Sequence, residues 1–541
     1  MNRLIRTSLL ACSTLLAPLA QADDTLRWLD QQQRERETLD REQRLRQLQR
    51  ALPPAPSAPG ALATDTRCWQ LPGLHLRGNR LVSDNNLQAA ISPHVRPCMG
   101  VNALRQVLTR ITRVYVERGY IAARAYPAQP PVDGQPLAIV IDEGFVEAIE
   151  LDDEQLPVWL QGAFPDLLGN PLHLPALEQG LDQLNRLRSV DVEAQIVPGD
   201  LEGGSRILLS ARSHASPWGA RVRYGNGGDL SSGRHGASLV ISRDNPLHLN
   251  DRLQVSLFSS AGNAPHYSRA LSAYYSVPYG PWTLGASLGR SQQVAFTPVG
   301  RKRYAYTSDS QGLSLGRTLW RNQRALLHGQ LRLNRKQQQR SFDGQRMALP
   351  DARQTSAGID LSLLWLGRAT WSTQLGYGRS LPWLGSDSRA FDHWRLGVIR
   401  TQVWPGNGHQ WRWDSSLEAQ YSPKPLPAGE QVLLSNSASV HGFRDSNIAA
   451  SSAAVWRNSV ALALPISPAL RLTPHVAVDY GRGWGTWTHD RQHPVVAGIS
   501  TGASLGWAGG EVTLDYRHAV VIKDGPPAEP GFWNMELKLD F

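Results

Sequence analysis

The sequence predicts a transmembrane antiparallel β-barrel of about 16 strands, preceded by two α/β modules and an N-terminal helix. Three observations carry that reading. An N-terminal export signal is followed by no apolar run of about 18 residues, so no helix is offered to a bilayer. From Trp218 onward the chain alternates apolar and polar residues with period two. The alternating stretches run about 9–13 residues, the length a tilted strand needs to cross a membrane.

Residues 1–22 read as a signal peptide. Arg3 and Arg6 give its basic end, Leu9 to Leu19 its apolar stretch, and Ala20-Gln21-Ala22 its cleavage site. Cys12 after Leu10-Ala11 faintly resembles a lipoprotein signal, but the apolar run before it is very short. Residues 23–50 contain neither Gly nor Pro and read as one helix. Glu37–Arg41, Asp40–Arg44 and Glu42–Arg46 place acid before base at i,i+4. The apolar stripe of Leu26, Leu29, Leu45, Leu48 and Leu52 is too sparse for a core helix. Two readings stay open: a solvated arm, or a detachable element lying in a polar cavity. Residues 51–66 form a Pro/Ala linker that cannot continue the helix.

Two α/β modules follow, at 67–143 and 144–213. In the first, Leu74–Arg77 reads as a strand, Asp84–Ile91 and Asn102–Arg118 as helices, and Tyr120–Tyr126 and Pro136–Ile141 as strands. The second repeats this order through Phe145–Leu151, Pro157–Ala163, Leu174–Leu187, Val190–Val197 and Ser205–Ala211. Neither carries a cluster of titratable groups that suggests catalysis. With Cys12 removed, Cys68 and Cys98 remain, and in an oxidising compartment such a pair is most simply a disulfide. A zinc site needs more ligands than these two and His94, and a redox pair is normally C-x-x-C.

Residues 214–541 carry the alternation. Trp533, Met535, Leu537, Leu539 and Phe541 interleave with Asn534, Glu536, Lys538 and Asp540, and the segments at 411–421 and 470–480 behave alike. The roughly 324 residues from 218 to 541 divide into about 16 strands, and closure leaves no unpaired edge in lipid. The net charge of +10 comes mostly from dispersed arginines, without the patch that nucleic acid demands. G-x-S-x-G occurs at Gly285–Gly289, Gly312–Gly316 and Gly502–Gly506, each on an expected strand instead of the strand-to-helix turn a nucleophile needs. No Walker loop or H-E-x-x-H occurs. The reading is no enzyme, no cofactor and no metal.

Taken together, the residues resemble a known family, the TpsB outer-membrane transporters of two-partner secretion. Cys68 and Cys98 look like its cysteine pair. Gly119-Tyr120-Ile121-Ala122-Ala123-Arg124-Ala125 with Pro127 and Gln129 is similar to its first-module motif, which Gly134 and Leu137 continue. Val440-His441-Gly442-Phe443-Arg444 lies in a long segment, about 422–452, between the expected eleventh and twelfth strands. There the family has a loop folded back into the pore. Val476–Gly481 resembles the strand motif whose aspartate, here Asp479, faces the lumen and engages the loop's arginine.

The resemblance implies that the modules are POTRA domains capturing the N-terminal secretion domain of a large unfolded exoprotein of the TpsA type. It also implies a plugging helix at 23–50, export without ATP, and an insertion signal in the last strand ending at Phe541, read by the barrel-assembly machinery. A monomer in outer-membrane lipid, with 23–213 in the periplasm or pore, is expected. A barrel-assembly factor or a passive porin are the alternatives, against which the two modules and the plug-like helix stand. One departure matters: His441 occupies the arginine position, with Arg444 three residues later. Histidine is charged only when protonated, whereas arginine is a permanent forked donor, so Arg444 is the expected partner of Asp479.

Overall fold

The computed structural model describes residues 68–541 apart from 153–155, 229, 231–232, 262–265, 297–301, 349–350, 407, 436–438, 447, 485–492 and 526–527, together with Arg41, Arg44 and Leu45. The expected signal peptide at 1–22, the linker at 51–66 and most of the helix at 23–50 lie outside the described residues.

The first module sets the helices Asp84–Ile91 and Val101–Glu117 against a three-stranded sheet, in the order Leu74–Arg77, Leu137–Asp142, Arg124–Pro127. Val107, Ile111 and Tyr115 recur at helical spacing and meet Leu87, Ile91 and Ile139 in a fully buried core. Each such side chain contributes about 1.5–3 kcal/mol. The Tyr115 hydroxyl donates to Glu143 at 2.9 Å, and burial followed by that bond pushes its pKa up. Cys68 and Cys98 form a disulfide, with Cα atoms 5.4 Å apart. It staples a two-stranded ribbon, Cys68–Gln70 with Cys98–Gly100, that is too short to show in the sequence. The expected strand at Tyr120–Tyr126 begins only at Arg124, because Gly119 to Ala122 are used to join the next module and Ala123 is buried in the first core.

The second module repeats the arrangement, with strands Phe145–Leu151, Gly204–His214 and Val190–Pro198 in sheet order and the helix Leu174–Leu184 across them. Pro157–Ala163 is helical only from Leu160. The joint is specific. Leu174 donates its N–H to the Gly119 carbonyl at 2.8 Å, and the Tyr120 ring lies 5.1 Å from that of His173. Burial pushes the His173 pKa down against the opposing effect of a backbone bond at Arg118.

The second module is also bolted to the barrel. Arg321, on the inner end of its strand, pairs with Glu178 at 3.2 Å and with Asp182, all largely buried. Gln183 donates to the Gly280 carbonyl at 2.8 Å, and Asn250 exchanges bonds of 2.9 and 2.8 Å with the Trp159 backbone. These contacts fall on the turns at one rim, which is therefore the periplasmic one.

Sixteen antiparallel strands, from Trp218–Gly225 to Phe532–Asp540, form a closed barrel. The last pairs with the first from Glu536–Gly225 to Asp540–Arg221, and the Arg221 and Asp540 side chains meet inside that seam. Alternate side chains, among them Leu257, Leu288, Ile359, Trp456, Val478 and Trp533, face outward and bare, as a lipid-facing belt must. Paired aromatics mark both rims: Trp365 with Trp371 and Trp404 with Trp411 at the periplasmic turns, Trp394 with Tyr421 and Tyr516 with Trp533 at the other. The strands Arg303–Arg321 and Ala325–Phe342 are longer than the expected 9–13 residues. Polar side chains on both faces of Asn334–Arg340 carry them past the membrane into water.

Candidate functional site

The segment between the strands Gln410–Tyr421 and Ser452–Ser467 folds into the lumen and is anchored at three levels. Near its start, the Glu430 carboxylate accepts from Lys336 at 2.8 Å and Gln354 at 2.9 Å, while Gln420 holds the Glu430 carbonyl at 2.8 Å. A short ribbon, Val432–Ser435 with Ile448–Ala450, then closes the loop on itself. Leu434, Val440 and Phe443 are buried against Val455, Val496 and Ala519 of the wall. This apolar contact inside the lumen fixes the loop's face.

Glycines let the tip come this close. A Cβ on Gly498 would lie 1.8 Å from the His441 carbonyl oxygen, and one on Gly442 would meet the His518 backbone at 2.3 Å. Gly442 also has φ +100°, so it turns the chain where other residues would be strained.

That turn decides which side chain reaches Asp479. His441 does: its N–H donates to Asp479 Oδ2 at 2.9 Å, and its ring Nδ1 contacts the same oxygen. Asp479 is only 1% exposed. The expected Arg444–Asp479 contact is not made. Two residues past the turn, Arg444 points to the outer rim, where its guanidinium lies 4.2 Å over the Phe532 ring. Asp479 therefore pairs with the residue that replaces the arginine, through backbone and side chain together.

The third anchor was not foreseen. The N–H groups of Arg444, Asp445 and Ser446 converge on the Glu529 carboxylate at 2.6–3.0 Å. The Asp445 carboxylate accepts from the Leu230 N–H and the Arg234 guanidinium, both at 2.9 Å. Glu529 belongs to the last outer loop and Arg234 to the first, so the tip holds both sides of the seam. The lone acids Glu430 and Glu529, each within a Pro/Gly-rich stretch, were the only sequence signal for these anchors.

Other expected residues sit elsewhere. Gly119 and Tyr120 form the joint between modules. Arg124 donates to the Ile121 and Ala123 carbonyls at 3.1 and 2.9 Å, bracing that joint. Pro127 ends its strand, and Gln129 is exposed in the following bend. Phe541 is 70% exposed, and its N–H donates to the Ala220 carbonyl across the seam. The three G-x-S-x-G stretches all lie on barrel strands. Of the helix expected at 23–50, the three described residues are helical. Arg44 donates to the lumenal Ser362 hydroxyl at 2.6 Å, and Leu45 packs on Leu326 and Leu364 near the periplasmic end of the lumen. Between this contact and the loop lies a cavity of about 270 Å3 edged by Arg332, Lys336, His393 and Arg395.

Comparison with known proteins gives the same architecture. Residues 203–505 match the family described as haemolysin secretion/activation protein ShlB/FhaC/HecB, 145–198 a POTRA domain, and 69–144 a POTRA domain of the ShlB type. The haemolysin transporter protein ShlB of Serratia marcescens is 30% identical over 537 residues, covering 94% of this chain and 92% of that one. The outer membrane transporter CdiB of Escherichia coli is 30% identical over 500 residues, covering 88% and 83%. Among solved structures, CdiB from Escherichia coli superposes with a TM-score of 0.85 at 23% identity, over 95% of this chain and 98% of that one. An outer-membrane barrel with two POTRA modules and this degree of similarity has one placement: the chain belongs to the ShlB/FhaC/HecB family of two-partner secretion transporters.

Proposed function

We propose that this protein is the outer-membrane pore through which a large partner exoprotein reaches the cell surface. The observation that carries the reading is a closed barrel whose lumen is filled by its own loop and touched by its own N-terminal helix. Such a pore is shut at rest by parts that can be displaced. The POTRA modules at 67–143 and 144–213 capture the secretion domain of the unfolded partner in the periplasm. The helix at 23–50 plugs the lumen and leaves during transport. Val440 to Arg444 and Asp479 hold the loop in register, with the contact made by His441. No ATP is needed, because folding of the emerged chain outside the cell biases its diffusion outward. A polar lumen suits this, since a sliding extended chain finds few apolar places to stick. The protein works as a monomer, inserted by the barrel-assembly machinery through the strand ending at Phe541.

The test is export in cells. Co-expression with a large exoprotein of the TpsA type should place that exoprotein outside the cell, and removing residues 67–143 should abolish its export while the barrel still inserts. Continued export at normal levels would move partner recognition out of the first module.

A further inference from the structure

A cleft on the outer wall, away from the lumen, has the chemistry of a lipid site. It opens over the strands His235–Asp244, Arg252–Ala261 and Tyr267–Tyr279, close to the seam. Register places Val222, Leu239, Leu257 and Leu271 side by side in one outward row. The next position along that row is Arg290, paired with Leu271, and one step toward the outer rim the facing residues are Ala237, Ser259 and Arg269. The small Ala237 and Ser259 leave the hollow, the leucines floor it, Arg290 closes one end of the leucine row and Arg269 stands a step nearer the outer rim.

An arginine on the lipid face costs several kcal/mol at mid-bilayer and about 0–1 near the interface. Arg269 is two residues into a strand that starts at the outer rim, so the pair sits where the apolar belt gives way to headgroups. Among the described residues Arg290 pairs with Asp309 at 3.6 Å, and both side chains are exposed. Arg269 lies 4.8 Å over the Tyr267 ring, which orients it without neutralising it. The local charge is therefore a net positive one above an acyl-sized trough.

We infer that this cleft binds a phosphorylated glycolipid of the outer leaflet, with an acyl chain along Leu239, Leu257 and Leu271 and a phosphate on Arg269 and Arg290. Charge complementarity and the position at the outer rim commit the site to that leaflet's lipid instead of to an inner-leaflet phospholipid.

Native mass spectrometry of the full chain in detergent tests this, with bisphosphorylated lipid A, its phosphate-free form and phosphatidylglycerol as probes. Lipid A should be retained, and Arg269→Gln with Arg290→Gln should weaken retention about tenfold, the scale of a lost charge-assisted bond. Asp309→Asn should strengthen it by freeing Arg290. Arg379→Gln, an outward arginine on another strand, should change nothing and controls for folding and general charge. Equal retention by the double variant, or of the phosphate-free lipid, would overturn the site. Equal retention of phosphatidylglycerol would overturn the assignment to the outer leaflet, and a dimer mass replacing lipid adducts would give the cleft to a second copy.

Discussion

At the residue scale, the contact between His441 and Asp479 depends on a backbone route that composition does not reveal. The resemblance to the family pointed to the loop, its tip and its carboxylate, and strand parity turned Asp479 toward the lumen. Neither could tell which side chain reaches that carboxylate. The answer rests on Gly442 turning at φ +100° and on Gly498 leaving room for the His441 carbonyl. Arginine's better charge lost to position. Removing one partner of a buried polar contact costs about 1–3 kcal/mol, so His441→Ala and Asp479→Asn should each loosen the loop and impair export. The double variant should lose little more than either single one. Arg444→Ala should be milder, since that side chain faces Phe532 and its N–H, which binds Glu529, is kept. Export measured beside outer-membrane abundance checks this, and a silent His441→Ala would reverse the assignment.

Elements were legible where two solvents alternate. A strand with lipid on one face and a wet lumen on the other must repeat with period two, so the strands either side of the loop were placed well. The ribbon at Cys68–Gln70 was hidden, because three residues carry no period. The helix at 23–50 was ambiguous for a physical reason: a plug lying in a polar lumen looks like a solvated arm. The Arg44–Ser362 bond and the seating of Leu45 favour the lumen. Deleting 24–50 should therefore raise conductance in planar bilayers while leaving the barrel folded, and unchanged conductance would return the helix to the solvent. The joint between modules has its own signature. His173 is held neutral by burial, with a folded pKa below its ordinary value of about 6.5. Below that value the unfolded chain binds more protons than the folded one, so joint stability is complete above it and falls as pH drops through the His173 range. Thermal unfolding between pH 7.5 and 5 should show this loss, and His173→Phe, which keeps a ring against Tyr120, should flatten it.

For the molecule as a whole, the parts form a path closed at several points. The second module is fixed to the periplasmic rim by Arg321 with Glu178 and Asp182, so a chain captured by the modules, as proposed, would be delivered to the lumen and not beside it. The loop ties the lumen to the outer rim through Glu529 and Asp445, and Arg44 and Leu45 touch the lumen wall nearer the periplasmic end. Membrane class and module order were readable from the sequence because each is a matter of period and composition, and the export pore because of the family resemblance. The inter-module and loop-to-seam contacts were not, since they join residues far apart in the chain. On the proposed function, this chain alone is a sufficient, ATP-independent exporter. Reconstituting the purified protein in liposomes without nucleotide, and adding the unfolded secretion domain of its partner on the POTRA side, tests that directly. The domain should become protease-protected inside vesicles whose barrels present their modules outward. Protection that requires ATP, or that occurs equally without the barrel, would contradict it.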